Sequence, residues 1–79
     1  LEFYPENVDI HIVFGRIYLE RGNLSKAEES YLSAVSINPF DPEVHTALAA
    51  IYEKEGRTKE AERERKVLDI LAKKDGQNE

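Results

Sequence analysis

Apolar residues recur along this chain at spacings of three and four, broken by short polar stretches that carry glycine or proline. That period belongs to a helix with one side in a core, and no segment alternates with period two over the length of a strand. Four amphipathic helices follow. The first is expected from Val8 to about Arg21, with Asn7 able to cap it and Gly22 just past its end. The second runs from Leu24 to Ile37 and stops before Asn38-Pro39, where the ring forbids continuation. "FDPEV" opens the third: Asp41 caps, Pro42 suits the first turn, and Glu43 favours the positive end of the helix dipole. It reaches about Glu55, with Gly56 as its stop. Thr58 can cap a fourth and longer helix to about Lys74, ahead of Gly76 in a polar tail. Connections of two to four residues force consecutive helices to pack antiparallel.

The chain also repeats itself. "IYLERG" at residues 17–22 returns as "IYEKEG" at residues 51–56, a shift of 34 positions. At that shift His11 meets His45, Phe14 meets Leu48, Gly15 meets Ala49, Gly22 meets Gly56 and Ala27 meets Ala61. The caps coincide as well, Asn7 with Asp41. Size and role are kept across so many slots that the chain reads as two copies of one helix–turn–helix unit. Gly15 and Ala27, like Ala49 and Ala61, lack bulk where paired helices cross and so permit close approach. Tyr18 and Tyr52 sit one turn beyond Phe14 and Leu48 and are expected to fill the space between the pair.

The spacing His11, Phe14, Gly15, Tyr18, Ala27, Tyr31, Ala34, Pro39 resembles a tetratricopeptide repeat, with His11 standing where that family typically has Trp. The resemblance covers residues 6 to 74. It implies an all-α fold of antiparallel hairpins stacked as a short right-handed solenoid, without β-sheet. The expected organisation is a stub of a preceding unit at residues 1–7, a first repeat at 8–41, a second at 42–74 with an extended last helix, and a polar tail at 75–79. Pro5 falls opposite Pro39, which is why the first residues read as a stub. The second unit departs from the first at its far end: Tyr31 is answered by Arg65, Ala34 by Leu68 and Pro39 by Lys73. Without the proline the last helix can run on, and Arg65 can lay its stem on apolar surface with its head in water. This suits the end of an array. Two repeats are few for such a stack, so a longer array or completion by self-association is expected.

Composition narrows the function classes. Charged residues make up 34% of the chain and hydrophobic ones 41%, which suits a soluble helical protein. The net charge of −5 argues against nucleic acid. The basic excess in residues 57–74, seven Lys/Arg against four Asp/Glu, reads as a solvated face with pairs such as Glu62–Lys66. Binding to nucleic acid at physiological salt is not expected. No apolar run is long enough to insert in a membrane. Cysteine is absent, so disulfides are excluded and the redox compartment is open, with the cytoplasm favoured. Methionine is absent even at residue 1, from which a processed product or a piece of something longer is expected.

No catalytic, phosphate-binding or metal motif stands out. His11 and His45 occupy the same slot of different repeats and lack the i,i+4 spacing of a helical metal pair. Ser25, Ser30, Ser33 and Ser36 have no positioned base. Glu28 and Glu29 are neighbours in sequence and so diverge by about 100° on a helix. An enzyme is not expected, and no cofactor is implied. In proteins similar to this one the first helix of each pair lines a concave groove that grips a peptide or a partner's helix. The positions implied are Asp9, Ile12, Val13, Arg16, Leu19 and Glu20 in the first unit, and Glu43, Thr46, Ala47, Ala50, Glu53 and Lys54 in the second. Members that clamp the C-terminal carboxylate of chaperone tails use Lys, Asn and Arg at groove slots. Here those slots in the two first helices hold Ile12, Arg16 and Ala47, so that pattern is broken.

The leading expectation is a non-catalytic scaffold that binds a protein or peptide partner in this groove. The alternative is a structural module that self-associates by burying Val67, Ile70 and Leu71, or the face beside Leu1 to Tyr4. The first helix sharpens the choice: Ile10, Ile12, Val13, Phe14, Ile17, Tyr18 and Leu19 cannot all fit on one stripe, so it wants cover on more than one side.

Overall fold

The structure is a computed structural model that describes residues 7–77. Four helices account for most of it: α1 (Val8–Glu20), α2 (Leu24–Ile37), α3 (Pro42–Lys54) and α4 (Thr58–Gln77). No strand occurs among the described residues. Apart from Asn7, the expected N-terminal stub lies outside the described residues, as does the face beside Leu1 to Tyr4. The backbone divides into two compact units, Leu1–Pro39 and Phe40–Glu79, holding α1–α2 and α3–α4 respectively. Each is a helical hairpin.

The same local chemistry closes both hairpins. Asn7 Oδ1 accepts from the Asp9 amide and Asp41 Oδ1 from the Glu43 amide, each at 2.9 Å. The two side chains thereby satisfy helix-start donors that have no partner within the helix. At the other end Gly22 and Gly56 adopt φ of 76° and 75°. That left-handed turn lets the Asn23 amide reach back to the Tyr18 carbonyl at 2.9 Å, and the Arg57 amide to the Tyr52 carbonyl at 2.8 Å. Both helices thus end in one reversal that satisfies their last carbonyls.

The start of α4 departs from expectation. Thr58 is its first helical residue, not its cap. The carbonyl that accepts the first helical bond belongs to Arg57, from the Ala61 amide at 3.0 Å, as Asn23 accepts from Ala27 at 3.0 Å in the first hairpin. Asn23 also offers its side chain, taking the Lys26 amide at 3.1 Å. Arg57 has no acceptor to offer. Instead its guanidinium lies 4.5 Å from the centre of the Tyr52 ring and bonds Glu60 at 2.9 Å and Glu55 at 3.1 Å. The cation ties the end of α3 to the first turn of α4 by charge where the first hairpin uses a cap. At its far end α4 runs to Gln77, past the expected stop near Lys74 and through Gly76. No proline stands where the first unit has Pro39.

The first hairpin is packed through Gly15. A β-carbon placed there would sit 2.7 to 2.9 Å from three carbons of the Tyr31 ring. Tyr31 is itself 1% exposed, between Ala27 and Ala34, both fully buried on the same side of α2. The ring therefore fills the space that the missing side chain leaves. In the second hairpin the same two slots hold Ala49 and Arg65. Arg65 is exposed and forms an ion pair with Glu53 across the hairpin, so no ring competes with the Ala49 methyl. Glycine is kept only where the ring is.

The second hairpin buries more. Val44, Leu48 and Ile51 are 0 to 1% exposed and Tyr52 6%. Each aliphatic side chain taken out of water at such a position contributes about 1.5 to 3 kcal/mol. His45 is also buried, at 6%, and its Nδ1 lies 2.7 Å from Glu64 Oε1 on α4. Tyr18, the counterpart of Tyr52, is only half-buried and stacks on Phe14 with centroids 6.5 Å apart.

Two expectations test these contacts. Gly15→Ala should destabilise the chain by about 1 to 2 kcal/mol, because overpacking against a buried ring costs about 1 to 3 kcal/mol while Ala gains up to about 1 kcal/mol in helix propensity. Adding Tyr31→Leu should remove the penalty of the alanine, and denaturant melts of the two single variants and the double would show this coupling. A Gly15→Ala variant more stable than the parent would refute the packing described. The second concerns acid. The Arg57 hydrogen bond holds the Glu60 carboxyl below its usual range. Its contribution is present above the ordinary carboxylate range and is lost as pH falls through the lowered folded value. Thermal melts of Glu60→Gln should show a shallower loss of midpoint on acidification, by a small amount because the pair is partly exposed and screened by solvent. An acid limb identical to the parent's would exclude the pair as a contributor.

Candidate functional site

The helices present two kinds of outward surface. On α1, Asp9, Arg16 and Glu20 lie close in angle and are all exposed, with exposed Val13 beside them. Leu19 is half-buried at the edge of this face. Ile12 is turned inward and is 6% exposed. On α3, Glu43, Thr46, Glu53 and Lys54 are exposed, and Ala47 and Ala50 are half-buried. Thr46 Oγ1 donates to the Pro42 carbonyl at 2.8 Å, and Glu53 pairs with Arg65. The first-helix faces are thus mainly polar, of mixed charge, with small or aliphatic residues between the charges.

The second kind is apolar. Ile10, Val13, Phe14 and Ile17 fall at i, i+3, i+4 and i+7 of α1 and form one stripe. Val13 is 48%, Phe14 43% and Ile17 37% exposed, and Ile10 is half-buried. The first helix therefore does carry apolar surface beyond what its own hairpin covers. On α4, Val67 and Leu71 are half-buried and Ile70 is 63% exposed. Lys59, Arg63, Lys66 and Lys73 are exposed on the same helix, on the line that Ile70 shares. Glu62 and Lys66 are both exposed, but the i,i+4 pair that α4 forms is Asp69–Lys73, at 3.2 Å.

Two of the serines weighed for chemistry bond back onto their own helix. Ser33 Oγ donates to the Glu29 carbonyl at 3.1 Å and Ser36 Oγ to the Ser33 carbonyl at 2.8 Å, both within α2. Such bonds back onto the helix are a usual resting place for these side chains. Among the described residues no group of His, Cys, Asp and Glu is arranged to hold a metal ion, and no helix is long and apolar enough to cross a membrane. The His45–Glu64 contact was missed from sequence, since the two lie 19 residues apart. The repeat register gives no sign of it either, because the first unit has Ser30 at the slot of Glu64.

A family model described as TPR repeat matches residues 15–56, from the crossing glycine of α1 through α2 and α3 to the glycine that ends α3. No curated protein and no solved structure matches the chain. TPR repeats generally mediate protein–protein interaction, and the family is generally a non-catalytic scaffold. The match spans more than half of the 79 residues, and the helices it covers carry the expected glycine crossing and both glycine turns. The chain belongs to the TPR repeat family.

Proposed function

We propose that this chain is a non-catalytic interaction scaffold that takes up a partner's peptide or helix on the outward faces of its first helices. The observation that carries this reading is the exposed, mixed-charge face of α1, Asp9, Arg16 and Glu20 with Val13 alongside, and the corresponding face of α3 with Glu43, Thr46 and Lys54. Charges of both signs at fixed helical intervals select register and orientation, and the aliphatic groups between them supply apolar contact. A partner that fits is an amphipathic helix or an extended segment with a few hydrophobic anchors. Ile12 supports the site from below, since it is buried. Glu53 is available to a partner only in exchange for Arg65.

The residues at the slots of the carboxylate clamp argue against that mode of binding. Ile12 is buried and Ala47 half-buried, which leaves Arg16 as the single exposed cation among the three positions. A lone exposed cation holds a carboxylate weakly. Calorimetric titration with an acidic peptide ending in a free carboxylate, at physiological salt, should show no binding in the micromolar range. Micromolar affinity would overturn that argument.

The positive arm uses peptides selected from a random display library against the folded chain. Amide shift changes on adding a selected peptide should concentrate at Asp9, Arg16 and Glu20 on α1 and at Thr46 and Lys54 on α3. The charge reversals Arg16→Glu and Lys54→Glu should each weaken that binding several-fold, with a matching change in salt dependence. Shifts confined to α2 or α4, with both reversals silent, would reject the first-helix faces as the site.

A further inference from the structure

One pair of slots changes from apolar to charged between the two hairpins, and the change falls on the face of α3 proposed for a partner. In the first hairpin the pair is Leu19, half-buried on α1, and Tyr31, buried on α2. In the second the same slots hold Glu53 on α3 and Arg65 on α4, and Arg65 reaches across the hairpin to Glu53. This pair is open to water: 47% of the Arg65 side chain and 55% of the Glu53 side chain are exposed. His45–Glu64 in the same hairpin is the opposite case, with the imidazole buried against its carboxylate.

An ion pair as exposed as Arg65–Glu53 holds weakly, because solvent and salt screen it and two long side chains must be kept in one geometry. When it opens, both groups pass into water, so neither is left buried without a partner. Arg65 also settles the charge of the α3 face. Glu43, Glu53 and Lys54 together leave that face at −1, and Arg65 seated on Glu53 brings it to zero. The acid at Glu53 is thus covered by a cation that is easily displaced, and a cation is the group best suited to displace it.

We propose that Arg65 is a built-in competitor at the partner face of α3: it covers Glu53 until a partner segment presents a lysine or arginine there. The inference rests on the scaffold reading and adds to it the chemistry of one anchor, a basic side chain opposite Glu53. In the parent chain one ion pair on Glu53 is exchanged for another, so the basic anchor adds little affinity and little salt dependence. With the Arg65 charge removed, both should appear in full.

The test compares the parent with Arg65→Gln, Arg65→Lys and the double variant Arg65→Gln with Glu53→Gln, all at exposed positions and all checked for folding by circular dichroism. Peptides are selected from a random display library against Arg65→Gln, and their contacts are mapped by amide shifts. Those that shift α3 should carry Lys or Arg at one recurring position. They should bind Arg65→Gln about two- to five-fold more tightly than the parent, the range of an exposed ion pair, and with a steeper salt dependence. Arg65→Lys, which restores a competing cation, should bind like the parent. The gain should vanish in the double variant, and equally when the peptide's base is replaced by Gln. Peptides that shift α3 yet bind the parent and Arg65→Gln alike overturn the proposal and leave the scaffold reading standing, as do peptides that shift α1 alone. A gain that survives Glu53→Gln or loss of the peptide's base also overturns it, because Arg65 would then act through the packing of the hairpin. Shifts on neither α1 nor α3 end the scaffold reading and this proposal together.

Discussion

Both hairpins depend on how closely two helices can approach where they cross. An aromatic ring on one helix and a side chain on the other cannot occupy the same crossing, and the chain resolves this in two ways. The first hairpin gives up the side chain: Gly15 lets the Tyr31 ring lie where a β-carbon would be under 3 Å away. The second gives up the ring: Ala49 keeps its methyl, and Arg65 reaches outward to Glu53. The smallest residue and the largest are matched within one hairpin, and neither choice makes sense without the other. What each helix can show to a partner follows, because the inward residues fix which residues are left to face out.

The two copies have kept their frame and diverged in what they attach to it. Turn glycines, start caps on α1 and α3, and small residues at the crossings are held in common. The polar contacts are not. Asn23 caps α2 with its own side chain, while Arg57 at the same slot reaches the Tyr52 ring and two carboxylates. His11 is half-buried, and His45 is buried against Glu64. A repeat supplies geometry, and single substitutions on it decide which surfaces are apolar, basic or mixed.

The sequence made the frame readable because it is written in local rules. Val8, Leu24 and Pro42 begin helices where expected, and Gly22 and Gly56 end them, since caps, proline and left-handed glycine act within a few residues of where they stand. What escaped was tertiary. Thr58 is a good capping residue in isolation, yet the chain reversal after Gly56 is complete only at Arg57, which takes the cap position by register. The burial of Ile12 and the exposure of Phe14 were equally hidden, because the α1 sequence is apolar on several sides and its period alone cannot rank them. His45–Glu64 joins slots on different helices that the first copy fills with other residues. The family was legible from spacing; the surface that a partner meets was legible only as a set of positions.

The unequal cover on the two first helices also sets where the molecule opens. Leu48 and Ile51 must be wetted before α3 can leave its place, whereas Phe14 and Ile17 are partly in water already. Opening α1 thus forfeits less apolar burial than opening α3, and backbone amides of α1 should trade hydrogen for deuterium through a cheaper local fluctuation. Any molecule that seats itself on that helix slows the trade there first. The wetted stripe makes α1 a built-in gauge of occupancy, and it reports cover whatever the chemical nature of the occupant.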